Sequence, residues 1–352
     1  LSLRRSWYPD ASVWLHARTR RLRLRTEPEH AVPWHDWPVA EGSKVMPAPV
    51  AADMTHVPSD AGSPDHRRIR LRAVLPILTI HLACLGVIWT GWSWAALFTA
   101  LTLYIVRMFV ITAFYHRYFS HRTFCTHRLT QFMAALFGTT AAQRGPLWWA
   151  AHHREHHRHA DKEPDPHSPW WRGVLWSHTG WFLTDKGRST NWAAVPDWSR
   201  YPELLWLERW HLLGPALLIA SLGLFGWTLS TFAPVLGTDP WQMIVWGFAI
   251  STAALYHATF TINSIAHMIG TRRFRTPDDS RNNWFLALLT LGEGWHNNHH
   301  YHPGSARQGF YWWEFDPAYW GLKALASLGV VWNLRPVPAR VYEAARRHRR
   351  SP

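Results

Sequence analysis

The sequence predicts an all-α membrane protein with four transmembrane helices in two hairpins, and three observations carry that expectation. The 352 residues include 26 tryptophans, and 47% of the chain is hydrophobic against 17% charged, a balance in keeping with membrane spans and interfacial aromatic belts. Four apolar runs reach the roughly 20 residues needed to cross a bilayer as a helix. They fall in two close pairs, 73–92 with 94–115 and 212–232 with 241–262.

Residues 1–70 come first and are rich in Arg, Pro and Asp, as in RTRRLRLR and VPSDAGSPDHRR. They hold no sustained apolar period, so a disordered basic tail is expected. Met46 and Met54 lie within it, which leaves both a start at Met46 and a genuine tail open. The first pair of spans is parted by Ser93 and the second by APVLGTDP, so each pair folds back as a hairpin. The N-terminus, the stretch 116–211 and the C-terminal part then share one side of the membrane. Arg67, Arg68, Arg70, Arg72, Arg117, Arg122, Arg272, Arg273, Arg275 and the terminal RRHRR fall on that side. The positive-inside rule makes it cytoplasmic. Because the basic residues flank apolar runs, the net charge of +14 points to the bilayer and not to nucleic acid. Residues 336–352 read as a basic C-terminal tail. His81 and His257 stand alone inside apolar runs, where an interhelical hydrogen bond is the expected role.

The chemistry lies in the histidines. Cys84 and Cys125 are far apart and in no CxxC pair, so a metal would have to be held by imidazole. HRYFSH supplies His116 and His121, HREHH supplies His153, His156 and His157, NSIAH supplies Asn263 and His267, and HNNHH supplies His296, His299 and His300. Positions i, i+3 and i+4 share a helical face, so the second and third boxes each converge, as do Asn263 and His267. His116 and His121 are five apart, which requires the helix to end or loosen between them. Nine histidines exceed what one ion takes, so two metals are implied, with Zn, Cu, Fe and Ni all compatible with nitrogen ligands. Glu155, Asp161, Asp165 and Glu293 are the carboxylates expected to orient imidazole N–H groups. His152, His159, His167, His178 and His302 are expected to be polar neighbours and not ligands.

These boxes, together with GEGWHNNHH, WSHTGW and DPHSP, resemble the membrane-bound histidine-box fatty-acid desaturases of the stearoyl-CoA Δ9 type, in a bacterial form. The resemblance covers about residues 71–335. It implies a cytoplasmic helical cap holding a di-iron site above the four spans, in the bacterial cytoplasmic membrane. Carried over by motif, the iron ligands are His116, His121, His153, His156, His157, His267, His296, His299 and His300, with Asn263 acting through a bound water. The implied reaction uses O2 and two external electrons to place a cis double bond, at Δ9, in a saturated C16 or C18 acyl chain. With no flavin or NAD fingerprint, CxxC pair or fused haem domain, a separate electron donor is expected, a ferredoxin or similar small carrier with its reductase. A histidine-box hydroxylase shares the metal chemistry, but NSIAH and WSHTGW favour the desaturase. A non-catalytic metal-binding membrane protein would carry more polar residues through its spans. One departure concerns the acyl carrier. Animal acyl-CoA desaturases place Arg-Asp just before the second box, whereas this chain has Ala151 and His152. The head group of acyl-CoA or phospholipid would then rest on Arg144, Arg172, Lys186 or Arg188.

Overall fold

A computed structural model describes residues 68–350, so the tail expected over residues 1–70 lies, up to residue 67, outside the described residues. Four helices are long and apolar enough to cross a membrane: Leu71–Thr90, Trp94–Ser120, Leu213–Phe232 and Pro240–His267. The first leaves Leu75, Leu78, Leu82, Ile88 and Trp89 exposed, an apolar face suited to lipid. It stops at Gly91, whose φ of 61° lies in the left-handed region that glycine tolerates. Ser93 starts the second helix: its Oγ accepts from Ala96 N at 3.1 Å and donates to Gln242 Oε1 at 2.6 Å, which ties the two hairpins together. Asp239 starts the fourth span in the same way, accepting from Trp241 N and Gln242 N.

The second and fourth helices outrun the apolar runs that marked them, and the reason is burial by protein. Ile111–Ser120 continues the second helix as a π-helix with all ten side chains buried, including His116 and Arg117. Hydropathy falls there because the cap, and no longer lipid, surrounds the chain. The wider i→i+5 turn is the loosening that the HRYFSH spacing requires, since it brings residues five apart onto neighbouring faces. The fourth helix loosens to a π-helix over Val245–Ile250, returns to α-geometry from Ser251 to Asn263, and tightens into a 3-10 turn at Ile265–His267. Asn263 and His267 therefore do not share a regular helical face, contrary to the sequence expectation.

The connections between the spans pack around the end of the second helix. Tyr115, Phe119, Trp198, Leu204 and Leu207 are buried together, and Trp198 Nε1 donates to Phe119 O at 2.7 Å. Helix Pro146–His159 carries the second box. Its Arg154 donates to Ser120 O, Phe119 O, Ala194 O and both oxygens of Asp197, at 2.8–3.0 Å. That fan ties the second box to the carbonyls that end the π-helix. Cys125–Thr126 pairs antiparallel with Val331–Trp332 and fastens the C-terminal part to the same region. The segment read as a basic tail forms helix Ala339–Arg350, which buries Val341 and Ala345 against Phe274 and Phe310. Its few apolar positions lie among arginines, so the short stripe is easily missed in the sequence.

Candidate metal centre

The four histidine segments meet at one end of the spans. Their nine imidazoles divide into two groups: His116, His121, His153, His157 and His299, and beside it His156, His267, His296 and His300. In each group the potential ligand atoms lie within 4.8 Å of one another. Neither helical box stays whole. His153 and His157 turn to the first group while His156, between them, turns to the second; His299 joins the first while His296 and His300 join the second. The two groups abut, with the His157 and His300 rings stacked at 4.4 Å.

Inward-facing Nε2 atoms come very close. His121 and His153 stand 2.8 Å apart, His157 and His299 2.8 Å, His116 and His299 3.0 Å, His267 and His296 3.0 Å, and His156 and His300 3.3 Å. Two ligands each about 2.1 Å from one ion lie about 3 Å apart at right angles. The spacing is therefore that of donors converging on a common ion, and the donor set fits a pair of nitrogen-liganded metals. Burial, reinforced by the neighbouring imidazoles, holds His121, His153, His157, His296, His299 and His300 well below the usual imidazole range. They stay neutral, with a lone pair to give.

Carboxylates behind the rings set which nitrogen faces inward. His267 Nδ1 meets Asp161 at 2.6 Å, His300 Nδ1 meets Asp278 at 3.0 Å, His156 Nδ1 meets Asp165 at 3.1 Å, and His116 Nδ1 meets Glu293. Donation of the Nδ1 proton to these acids leaves Nε2 free for a metal. Burial works against a charge on His156, but Asp165 outweighs it and raises the imidazole above its ordinary value. The acids are themselves anchored. Asp161 Oδ2 accepts from Asp279 N and Asp165 Oδ2 from Asp161 N, while the buried Arg117 spans Glu293 and Asp316. Gly292 allows this approach, because a Cβ there would stand 2.4 Å from Asp316 Oδ1.

Asp161, Asp165 and Glu293 thus stand behind box histidines. Glu155 does not: its carboxylate binds Arg158 and Asn191, on the solvent side of the helix, so its expected role is corrected. Asp278 was not singled out, because it sits in a loop 22 residues before His300 and no local spacing announces it. The same holds for Gln308, whose amide lies 3.2 Å from His116 Nδ1 and 3.4 Å from His299 Nδ1. His167, expected as a polar neighbour, comes closer than that, forming with His156 and Asp165 a third group of possible ligands. Asn297 and Asn298, between the box histidines, bind Arg273 N, Phe274 N, Gln308 O and Glu314, and so hold the short helix His296–Tyr301 in place. His81 and His257 meet at 3.0 Å, and His257 continues to His178 at 3.1 Å, an interhelical chain as the sequence suggested.

A cavity of about 590 Å³ reaches this centre and is lined by members of both groups, His116 and His153 from the first and His156 and His296 from the second. Ile77, Ile80, Ile111, Trp149, Phe248 and Phe260 give it an apolar lining, and Asn263 is also among its walls. Arg144, Arg188, His152 and His211 also line it. Two of the four cations expected at a head group are elsewhere: Arg172 stacks on Trp176 and Lys186 is exposed on the surface. His152 turns to Ser189 O and is pulled down to about 4 by burial.

The fatty acid desaturase family model matches residues 92–335. The chain is 36% identical over 264 residues to the sn-1 stearoyl-lipid 9-desaturase of Anabaena variabilis, covering 73% of this chain and 91% of that one. It is 36% identical over 270 residues to Acyl-CoA 5-desaturase AL21 of Anemone leveillei, covering 75% and 78%. Delta-9 acyl-lipid desaturase 1 of Arabidopsis thaliana is 34% identical over 277 residues, covering 76% and 84%.

Proposed function

The chain belongs to the fatty acid desaturase family and is an oxidoreductase of acyl chains, and from that premise we propose that it places a cis double bond between C9 and C10 of saturated C16 and C18 chains. The observation that carries this reading is the cavity, an apolar channel walled by both imidazole groups. A long apolar chain matches the lining of Ile77, Ile80, Ile111, Trp149, Phe248 and Phe260, and the imidazoles in the same wall place it beside the metal centre. The Δ9 position draws support from the 9-desaturases among the relatives.

The first group, His116, His121, His153, His157 and His299, would hold one iron and the second, His156, His267, His296 and His300, the other, with Asn263 facing the second through water. Iron supplies the O2-dependent oxidising power that breaking an unactivated C–H bond demands. The protein's own part is position and environment. Asp161, Asp165, Asp278 and Glu293 fix the imidazole tautomers. Ile111, Trp149 and Phe260 hold the methylenes and keep bulk water from the reacting carbons. The reaction removes two hydrogens from the chain and, with two electrons and two protons, reduces O2 to two waters. The electrons come from a separate small carrier with its reductase. The arginines flanking the spans support an orientation with the metal centre and both chain ends on the cytoplasmic side of a bacterial membrane.

Expression in a host unable to make Δ9 monoenes, followed by gas chromatography and location of the double bond by mass spectrometry, tests the reading. Expected are C9–C10 monoenes from palmitate and stearate. New hydroxy fatty acids, or no new product from protein that holds iron and receives electrons, would contradict it.

A further inference from the structure

Ser177 and His178, in the WSHTGW segment, belong to neither imidazole group and line no part of the acyl cavity. Both instead meet the fourth helix where it breaks. α-Geometry ends at Asn263, and His267 N bonds Ser264 O at 3.3 Å, one residue short of its helical partner. The Asn263 carbonyl, which a continuing α-helix would give to His267 N, accepts from Ser177 Oγ at 2.7 Å. The same hydroxyl reaches His167 O, in the loop that follows the second-box helix. Ser177 and Ser264 are both fully buried.

Ser264 is held from a second direction. Its Oγ stands 3.0 Å from Phe260 O and 3.1 Å from His178 Nδ1. A serine that bonds back to the carbonyl four residues earlier bends a helix, and the imidazole takes hold of it at that bend. His178 Nε2 continues to His257 Nδ1 at 3.1 Å, His257 Nε2 to His81 Nε2 at 3.0 Å, and His81 Nδ1 to Ile77 O at 2.7 Å. The far end fixes the direction of this chain. A carbonyl only accepts, so His81 donates from Nδ1; each neutral ring then donates at one nitrogen and accepts at the other, and His178 Nδ1 accepts from Ser264. Ile77 belongs to the first span and lines the acyl cavity. The break is thus braced against that span.

We propose that Ser177 and His178 are positioning residues for the second metal. By holding the break open they keep Asn263 in the cavity wall and His267 against His296, whose Nε2 lies 3.0 Å from its own. This rests on the reading of the second group as an iron site, and adds what fixes the segment that gives that site both His267 and Asn263. No histidine of the first group comes from this segment, so the effect is confined to one metal.

Full-length chains in detergent micelles, each keeping one group whole, test it. His299→Ala leaves the four histidines of the second group, and His296→Ala the five of the first. In the His299→Ala chain, Ser177→Ala or His178→Leu is expected to speed loss of the remaining iron to a chelator about 10-fold or more, the scale on which losing a supporting group acts, and to shift its Mössbauer quadrupole splitting. In the His296→Ala chain the same changes should alter neither. His178→Asn, whose amide oxygen reaches where Nδ1 does, should restore the slow loss, whereas His178→Gln, which reaches toward His257, should not. Melting temperature reports folding, and His257→Leu, which cuts the chain of rings, carries the comparison if the first two variants do not fold. Equal acceleration in both chains, or acceleration in neither, overturns the proposal. Iron bound in neither chain overturns it together with the metal-site reading. The readout is the metal, so a failure to form monoenes counts against the desaturase reading alone.

Discussion

Each box histidine does one thing at the residue scale, which is to present its Nε2 to one of two neighbouring points. His299 is close to two partners, His116 at 3.0 Å and His157 at 2.8 Å. Its replacement by Ala is expected to lower bound iron from two to one per chain and to abolish monoene formation, measured by metal analysis and gas chromatography. Asp278→Asn keeps the size but weakens the hold on His300 Nδ1. Loss of such a supporting group costs about 10- to 100-fold in metal affinity or activity, so a graded loss is expected, read by iron retention against a chelator series. The boxes were legible in the sequence because i, i+3 and i+4 spacing is local. Asp278 and Gln308 were not, because their partners are supplied by the fold across loops. Nor could spacing alone say that His156 parts from His153 and His157.

Elements make this arrangement by holding distant boxes in register. The π-helix Ile111–Ser120 supplies His116 and the turn into His121, and its last carbonyls are gripped by Arg154 from the second box. Arg154→Ala removes five charge-assisted hydrogen bonds and leaves Asp197 without this partner. With Asp197 partly open to solvent, the cost is on the order of 2–4 kcal/mol. A fall in melting temperature of several degrees is expected in detergent, along with faster iron loss, because two boxes lose their common brace. Hydropathy placed all four spans but ended the second and fourth early. It measures affinity for lipid, and Arg117 and His267 are buried by protein instead. The C-terminal helix was obscured in the same way, since Val341 and Ala345 are two apolar residues in a strongly basic segment.

Over the whole molecule, two hairpins carry an apolar cavity up to a buried nitrogen-rich centre. Fold class and metal centre were legible together because span, box and hairpin are patterns within short windows. The cavity was not, since its walls come from all four spans and the connections between them. The charge of +14 also acts at this scale. Turnover with an acidic electron carrier should slow as salt rises from low ionic strength toward about 0.5 M, because screening removes long-range attraction. A rate indifferent to salt would argue for a carrier held by other forces. The central claim is that nine imidazoles hold two irons side by side. Mössbauer spectroscopy and metal analysis of protein grown on enriched iron test it most directly. Two irons per chain, both in nitrogen- and oxygen-ligated environments and lost together in neither His299→Ala nor His296→Ala alone, are expected. One iron per full-length active chain, or two in a sulfur-ligated cluster, would contradict the account.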